Sequence, residues 1–167
     1  MKETYLVLDN IRSCENVGSI FRTADGVGVS KIYLCGITPV PQKSNEFRIM
    51  NNGSDKISKT ALGAEKWVPW EYHAQTYRCL LKLKNQNEKI KIVGLEQGKD
   101  SVNIFSKYLN RKLKTMNPLA LVVGNEVKGL SPQILKYCDK IIEIPMYGRK
   151  ESLNVSVSAG IALYFLR

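Results

Sequence analysis

The feature that most constrains this 167-residue chain is an alternation of short apolar runs with helical stretches. The runs are YLVLD (Tyr5–Asp9), KIYLCG (Lys31–Gly36), a short stretch around WVPWEY, IKIVGLE (Ile90–Glu96), LALVV (Leu119–Val123) and Ile141, Ile142 and Ile144 ending at Pro145. Each has the length and bounding residues of a buried strand. Between the first two, Val17, Ile20, Phe21, Ala24 and Val27 fall on one helical face, and Gly26 and Gly28 close that helix. Arg22 lies about 160° from the centre of the stripe and points away from it. SKTALGAEKW is expected to continue as helix. His73 is expected to open the next helix, with Tyr77, Leu80, Leu81 and the stem of Lys84 along one side. Ser131 caps SPQILKYC with Pro132 at its first position. A polar loop leads to a last, apolar helix from about Leu153, its start bracketed by Ser152 and Asn154. Strands alternating with helices imply an α/β class protein with a mostly parallel sheet flanked by helices, in a single domain spanning 1–167.

Charge narrows the partners. The formal net charge is +10 and the pI about 9.5, a surplus that favours a polyanion. Basic residues concentrate in Arg78–Lys91 and Lys107–Lys114, which either follow a phosphate backbone or are solvated helix faces, and Lys43 and Arg48 sit in the polar loop after the second strand. Cys14, Cys35, Cys79 and Cys138 form no CxxC pair and His73 is the single histidine, so neither a zinc site of usual spacing nor a Ser/His/Asp triad is supported. No GxGxxG follows the first strand, and GxxxxGK[ST] is missing. The N-terminus lacks a signal sequence and no 18-residue apolar run occurs, so the expectation is a soluble, cytoplasmic protein with no membrane partner.

Three segments carry chemistry: ENVGSIFRTADGVGVSKIYLCG (Glu15–Gly36), LVVGNEVKGLS (Leu121–Ser131) and IPMYGRKESLNVSVSAG (Ile144–Gly160). In type, order and spacing they resemble the three signature motifs of the SpoU (TrmH-type) ribose 2′-O-methyltransferases of the SPOUT superfamily. SKTALGAEKW resembles the segment these enzymes carry between the first and second motifs. The resemblance implies a SPOUT-type α/β knot, with the C-terminal segment threaded into a trefoil knot, an obligate homodimer, S-adenosyl-L-methionine as cofactor and RNA as substrate. It implies no metal. By position it assigns Leu95, Gly124, Ile144, Met146 and Leu153 to the cofactor pocket and Asn16, Arg22, Glu126, Ser152 and Asn154 to catalysis. No extra RNA-recruiting domain fits before Tyr5.

The implied reaction moves a methyl group from a sulfonium to a ribose hydroxyl, so positioning carries most of the catalysis, with a base or charge stabiliser supplying the rest. The role of Arg22 stays open between proton acceptor and phosphate positioning, because a guanidinium pKa above about 12 makes the first demanding. Transfer RNA is favoured over ribosomal RNA as substrate. Arg12, Arg149 and Lys150 join Lys43 and Arg48 as candidate RNA contacts. A competing reading is a non-catalytic RNA-binding or ribosome-assembly protein that keeps the knotted fold; binding of S-adenosylmethionine separates the two. A methyltransferase for a small molecule or a protein fits the +10 charge poorly.

Overall fold

The computed structural model describes residues 2–41, 54–107, 113 and 115–167. Lys43, Arg48 and nearly all of Lys107–Lys114 lie outside the described residues. Seven strands form one sheet in the order β3-β2-β1-β6-β4-β7-β5, and every pairing is parallel. They are β1 (Thr4–Asp9), β2 (Lys31–Cys35), β3 (Trp70–His73), β4 (Lys91–Leu95), β5 (Val102–Asn103), β6 (Leu119–Val123) and β7 (Lys140–Glu143). The helices are α1 (Cys14–Val27), α2 (Ser54–Ala61), α3 (Ala64–Trp67), α4 (Thr76–Gln86), α5 (Pro132–Leu135) and α6 (Val155–Leu166).

The uninterrupted apolar runs have a structural reason. Successive strand side chains point to opposite faces, and both faces here are covered. Leu6, Leu8, Leu119, Leu121 and Val123 join the core under α1, α2 and α6, whereas Val7, Ala120 and Val122 join a second core with Cys79, Leu80 and Leu83 of α4 and Ile134 of α5. On α1 the buried set is the predicted stripe, Val17, Ile20, Phe21, Ala24 and Val27, together with Gly18. Full burial of each large side chain stabilises by about 1.5–3 kcal/mol. Ser13 caps the start of α1, and Gly28 ends it at φ 76°, a left-handed conformation that glycine adopts without Cβ strain.

Several boundaries differ from the sequence expectation. His73 ends β3 rather than opening a helix: it pairs with Cys35, and its carbonyl accepts from the Gly36 N–H at 3.0 Å. Helix α4 therefore starts three residues later and buries Thr76, Cys79, Leu80 and Leu83, leaving Leu81 41% exposed. SKTALGAEKW is interrupted, because Leu62 and Gly63 take φ values of 52° and 97° and separate α2 from α3. Helix α5 is a single turn, and the last helix begins at Val155 with Asn154 as its cap, so Leu153 lies in the loop. The two-residue β5, absent from the sequence reading, pairs with Ile142 and Glu143 of β7.

Register sets up the site. Leu8 pairs with Val123, Val123 with Leu95 and Leu95 with Ile142, so β1, β6, β4 and β7 end side by side. The residues just past these ends, Asn10, Gly124, Glu96 and Ile144, emerge along one carboxyl edge. In parallel sheets such an edge is where ligands bind. Beyond β7 the chain turns through residues 144–154 and enters α6, which packs on α1.

Candidate active site

A cleft of about 300 Å3 opens between the turn after β6 and the loop after β7. Leu95, Gly124, Ile144, Met146 and Leu153, the five residues assigned to the cofactor, all line it, with Val123 and Val155 adding to its apolar wall. Gly124 lets two backbone segments meet: a Cβ there would lie 2.5 Å from the Gly129 carbonyl carbon and 2.6 Å from the Leu130 nitrogen. The Glu96 carboxylate accepts from the Leu130 N–H at 2.6 Å and from the Gln97 N–H at 3.0 Å, which pins β4's end to the same turn. The polar lining includes Glu96, Glu126, Glu143 and Glu151, and among the described residues lining the cleft there is no lysine or arginine. Of these glutamates the sequence reading named only Glu126. Glu96 carried one signal, its place beside Leu95 at a strand end; Glu143 and Glu151 carried none.

Glu126 and Asn16 together join the three motif segments. Its Oε2 accepts from the Arg12 N–H at 3.0 Å, and its Oε1 from the Ser13 N–H at 3.1 Å and the Asn16 side-chain amide at 3.0 Å. Burial works to raise the Glu126 carboxyl, but these donors, with its own backbone N–H, offset burial and hold it below its ordinary value. Asn16 Oδ1 accepts from Asn154 Nδ2 at 3.0 Å, and Asn154 Oδ1 in turn accepts from the Ser156 N–H at 2.8 Å as the cap of α6. The starts of α1 and α6 are thus tied together through Asn16, with Glu126 as anchor.

Ser152 lines the narrow cleft beside this chain of bonds. Arg22 stands apart. It projects from the exposed side of α1, makes no hydrogen bond or ion pair among the described residues, and lines neither of the two clefts. Four of the five catalytic candidates are therefore gathered at the narrow cleft and the bonds beside it, and Arg22 is not.

A second, wider cleft of about 950 Å3 lies on the other side of the Asn125–Gly129 turn, between the end of β1 and the starts of α4 and α5. Asn125, Val127 and Gly129 border both clefts. Asn125 braces this wall, donating to the Asn10 carbonyl at 2.7 Å and accepting from the Val127 and Lys128 N–H groups at 3.0 Å each. Arg12 and Lys128 bring positive charge to its rim, and Asp9 lies buried within it.

A parallel sheet with two adjoining clefts at its carboxyl edge defines a ligand-binding α/β protein. More narrowly, the chain belongs to the SpoU rRNA Methylase family, whose model matches residues 3–164. It is 37% identical over 163 residues to the tRNA (guanosine(18)-2′-O)-methyltransferase of Aquifex aeolicus, a match covering 98% of this chain and 68% of that one. It is 34% identical over 159 residues to the 23S rRNA (guanosine-2′-O-)-methyltransferase RlmB of Haemophilus influenzae, covering 95% of this chain and 57% of that one. Among solved structures, the A. aeolicus TrmH/SpoU tRNA modifying enzyme superposes with a TM-score of 0.76 at 35% identity, covering 99% of this chain and 74% of that one. The AdoMet-bound rRNA methyltransferase from Sinorhizobium meliloti superposes with a TM-score of 0.76 at 26% identity, covering 100% and 57%.

Proposed function

We propose that this chain transfers a methyl group from S-adenosylmethionine to the ribose 2′-hydroxyl of a nucleotide in RNA, with tRNA ahead of rRNA as substrate, in the cytoplasm. The observation that carries the reading is the pairing of an acidic cleft with a basic-rimmed one across a single turn. The narrow cleft suits the cofactor: its glutamates match the net positive charge of a sulfonium and an ammonium, and its apolar wall suits an adenine. Leu95, Gly124, Ile144, Met146 and Leu153 would hold it. Once bound there, S-adenosylmethionine supplies an electrophilic methyl group. The lean to tRNA rests on the A. aeolicus relative, which is the more similar of the two and is matched over more of its length.

The chain's own residues then have separable tasks. Asn16, Glu126 and Asn154 hold the three motif segments in one arrangement, which keeps reacting atoms aligned. Arg22 orients an RNA phosphate and balances the charge that develops as the hydroxyl proton leaves, a task that suits a permanently protonated guanidinium. Ser152 faces the cleft, where its hydroxyl can accept or donate a hydrogen bond to the reacting nucleotide. Arg12, Arg149 and Lys150 contribute to RNA attraction from the domain's own surface.

Two structural elements belong to the same proposal. The 144–154 segment is threaded as a trefoil knot, and two copies pair through α6. The support for pairing is that α6 is apolar on every side. Val157 and Tyr164 are 49% and 62% exposed, and Phe165 of the same helix lies edge-on to Phe105. Because α6 packs on α1, such pairing sets Arg22 near the partner copy. Light scattering on a Val157→Asp variant should report a monomer where the unaltered chain is a dimer; an unchanged mass would remove α6 from the interface.

The direct test of the reaction is incubation with tritiated S-adenosylmethionine and unmodified RNA transcripts, followed by nucleoside analysis. Label in a 2′-O-methyl nucleoside is the expected result. Calorimetric titration showing no binding of S-adenosylmethionine would instead favour an RNA-binding protein without catalysis.

A further inference from the structure

Nothing in the proposed reaction uses Asp9. It is the last residue of β1 and 3% exposed, yet it lines the wider cleft. Its Oδ1 accepts from the Thr76 hydroxyl and, at 2.8 Å, from Asn10 Nδ2. Its Oδ2 has no hydrogen bond among the described residues. That oxygen, on a residue lining the cleft at the carboxyl edge of a parallel sheet, is an acceptor available to a ligand.

The surroundings specify what kind of donor. Ile37, 65% exposed, stands with Leu130 and Tyr77 as apolar wall, which suits the faces of a planar ring. Arg12 and Lys128 at the rim suit phosphates on either side of that ring. The shared Asn125–Gly129 wall relates the two clefts to each other: a ribose lying over it, with its 2′-hydroxyl toward the narrow cleft, turns its base toward the wide one. Single-stranded RNA bases are ordinarily read this way, splayed out against apolar side chains and bonded along the Watson–Crick edge.

On the methyl-transfer reading above, we infer that the wide cleft holds the base of the nucleotide being methylated and that Asp9 selects guanine. Guanine alone presents two adjacent donors, N1–H and the 2-amino group, and Asp9 Oδ2, with two lone pairs, is the oxygen left to accept both. Adenine and cytosine set a ring-nitrogen lone pair beside their amino group, and uracil flanks N3–H with two carbonyls, so each brings a repelled acceptor toward the anion. Asp9 is then a specificity residue, distinct from the groups that hold the cofactor.

The test uses the full-length protein, tritiated S-adenosylmethionine and unmodified tRNA and 23S rRNA transcripts. The expected product is 2′-O-methylguanosine. In an RNA otherwise identical, inosine at the methylated position lacks the 2-amino group and should lower the single-turnover rate of the unaltered enzyme by about fivefold or more. Asp9→Asn should lower the rate on guanosine about tenfold or more and no longer distinguish guanosine from inosine, with the Kd for S-adenosylmethionine unchanged. If Asp9→Asn fails to fold, the inosine comparison on the unaltered enzyme decides alone. Label in adenosine, cytidine or uridine, or equal rates on guanosine and inosine, overturns the assignment while methyl transfer itself stands. Label in no nucleoside overturns the methyl-transfer reading and this one with it.

Discussion

The two clefts share a wall and a sheet edge but are built on opposite principles. In the narrow one, carboxylates follow the strand ends directly, as with Glu96 after β4 and Glu143 at the end of β7, and apolar residues fill the rest. In the wide one the single acid, Asp9, is buried and the cations Arg12 and Lys128 lie outermost. The difference shows how one parallel edge can serve a small cation and a large polyanion without mixing them. Glu126 and Lys128 lie in the same Asn125–Gly129 turn but border different clefts, so the turn itself keeps the two fields apart.

Separating chemistry from both clefts gives the largest expected effect. Arg22→Ala should lower turnover about a thousandfold while the Kd for S-adenosylmethionine changes little, since Arg22 does not border the cofactor cleft. Substantial residual turnover would remove it from the transfer step. Next is the wall itself. Gly124→Ala sets a methyl group 2.5 Å from the Gly129 carbonyl carbon, costing about 1–3 kcal/mol. Calorimetry should show S-adenosylmethionine binding weakened by two orders of magnitude or more, with RNA binding in filter assays largely kept. If both fall equally, the clefts are not independent.

Glu126→Gln tests the anchor below the wall. It removes a charge-assisted acceptor from the Arg12 and Ser13 N–H groups and should destabilise the fold by about 1–3 kcal/mol. The folded carboxyl lies below its ordinary value of 4.5. Its contribution is therefore present above that value and is lost as pH falls through the folded pKa. Denaturant titrations of the two proteins should differ near pH 7 and converge as the pH falls through the folded pKa of Glu126, below 4.5; a constant gap would deny Glu126 that role. The smallest effect sharpens the contrast on the basic side: Lys128→Ala should reduce the salt dependence of RNA binding by about one charge, leaving S-adenosylmethionine affinity as it was.

Legibility tracked how local each determinant is. The buried stripe of α1, the caps Ser131 and Asn154, and the end of β6 at Gly124 depend on a few neighbouring residues, and all were readable. The His73 boundary was not, because strand pairing with Cys35 outweighs the helical pattern that follows it. Leu81 was placed inside because the apolar pattern fits two overlapping faces, and packing on the sheet selects the one carrying Thr76, Cys79, Leu80 and Leu83. Two-residue β5 has too little length to show any period. Among candidate site residues, Asn16, Glu126, Ser152 and Asn154 were singled out through motif order, whereas Glu143, Glu151 and Asp9 belong to no pattern and line the clefts only in the folded chain.

The amino-acid order by itself determined an alternating α/β chain, the apolar face of its first helix, the capped helix starts and a surplus of positive charge, because each follows from periodicity or composition over short spans. Only the tertiary structure decided that strand ends far apart in the chain lie side by side. That arrangement gathers Glu126, Asn16 and Asn154 into one set of bonds, collects the glutamates in one cleft and the cations Arg12 and Lys128 in the other, and leaves Arg22 outside both. The reason is physical: the register of parallel strands is set by packing on two faces at once, and that packing is a property of the whole sheet rather than of any segment.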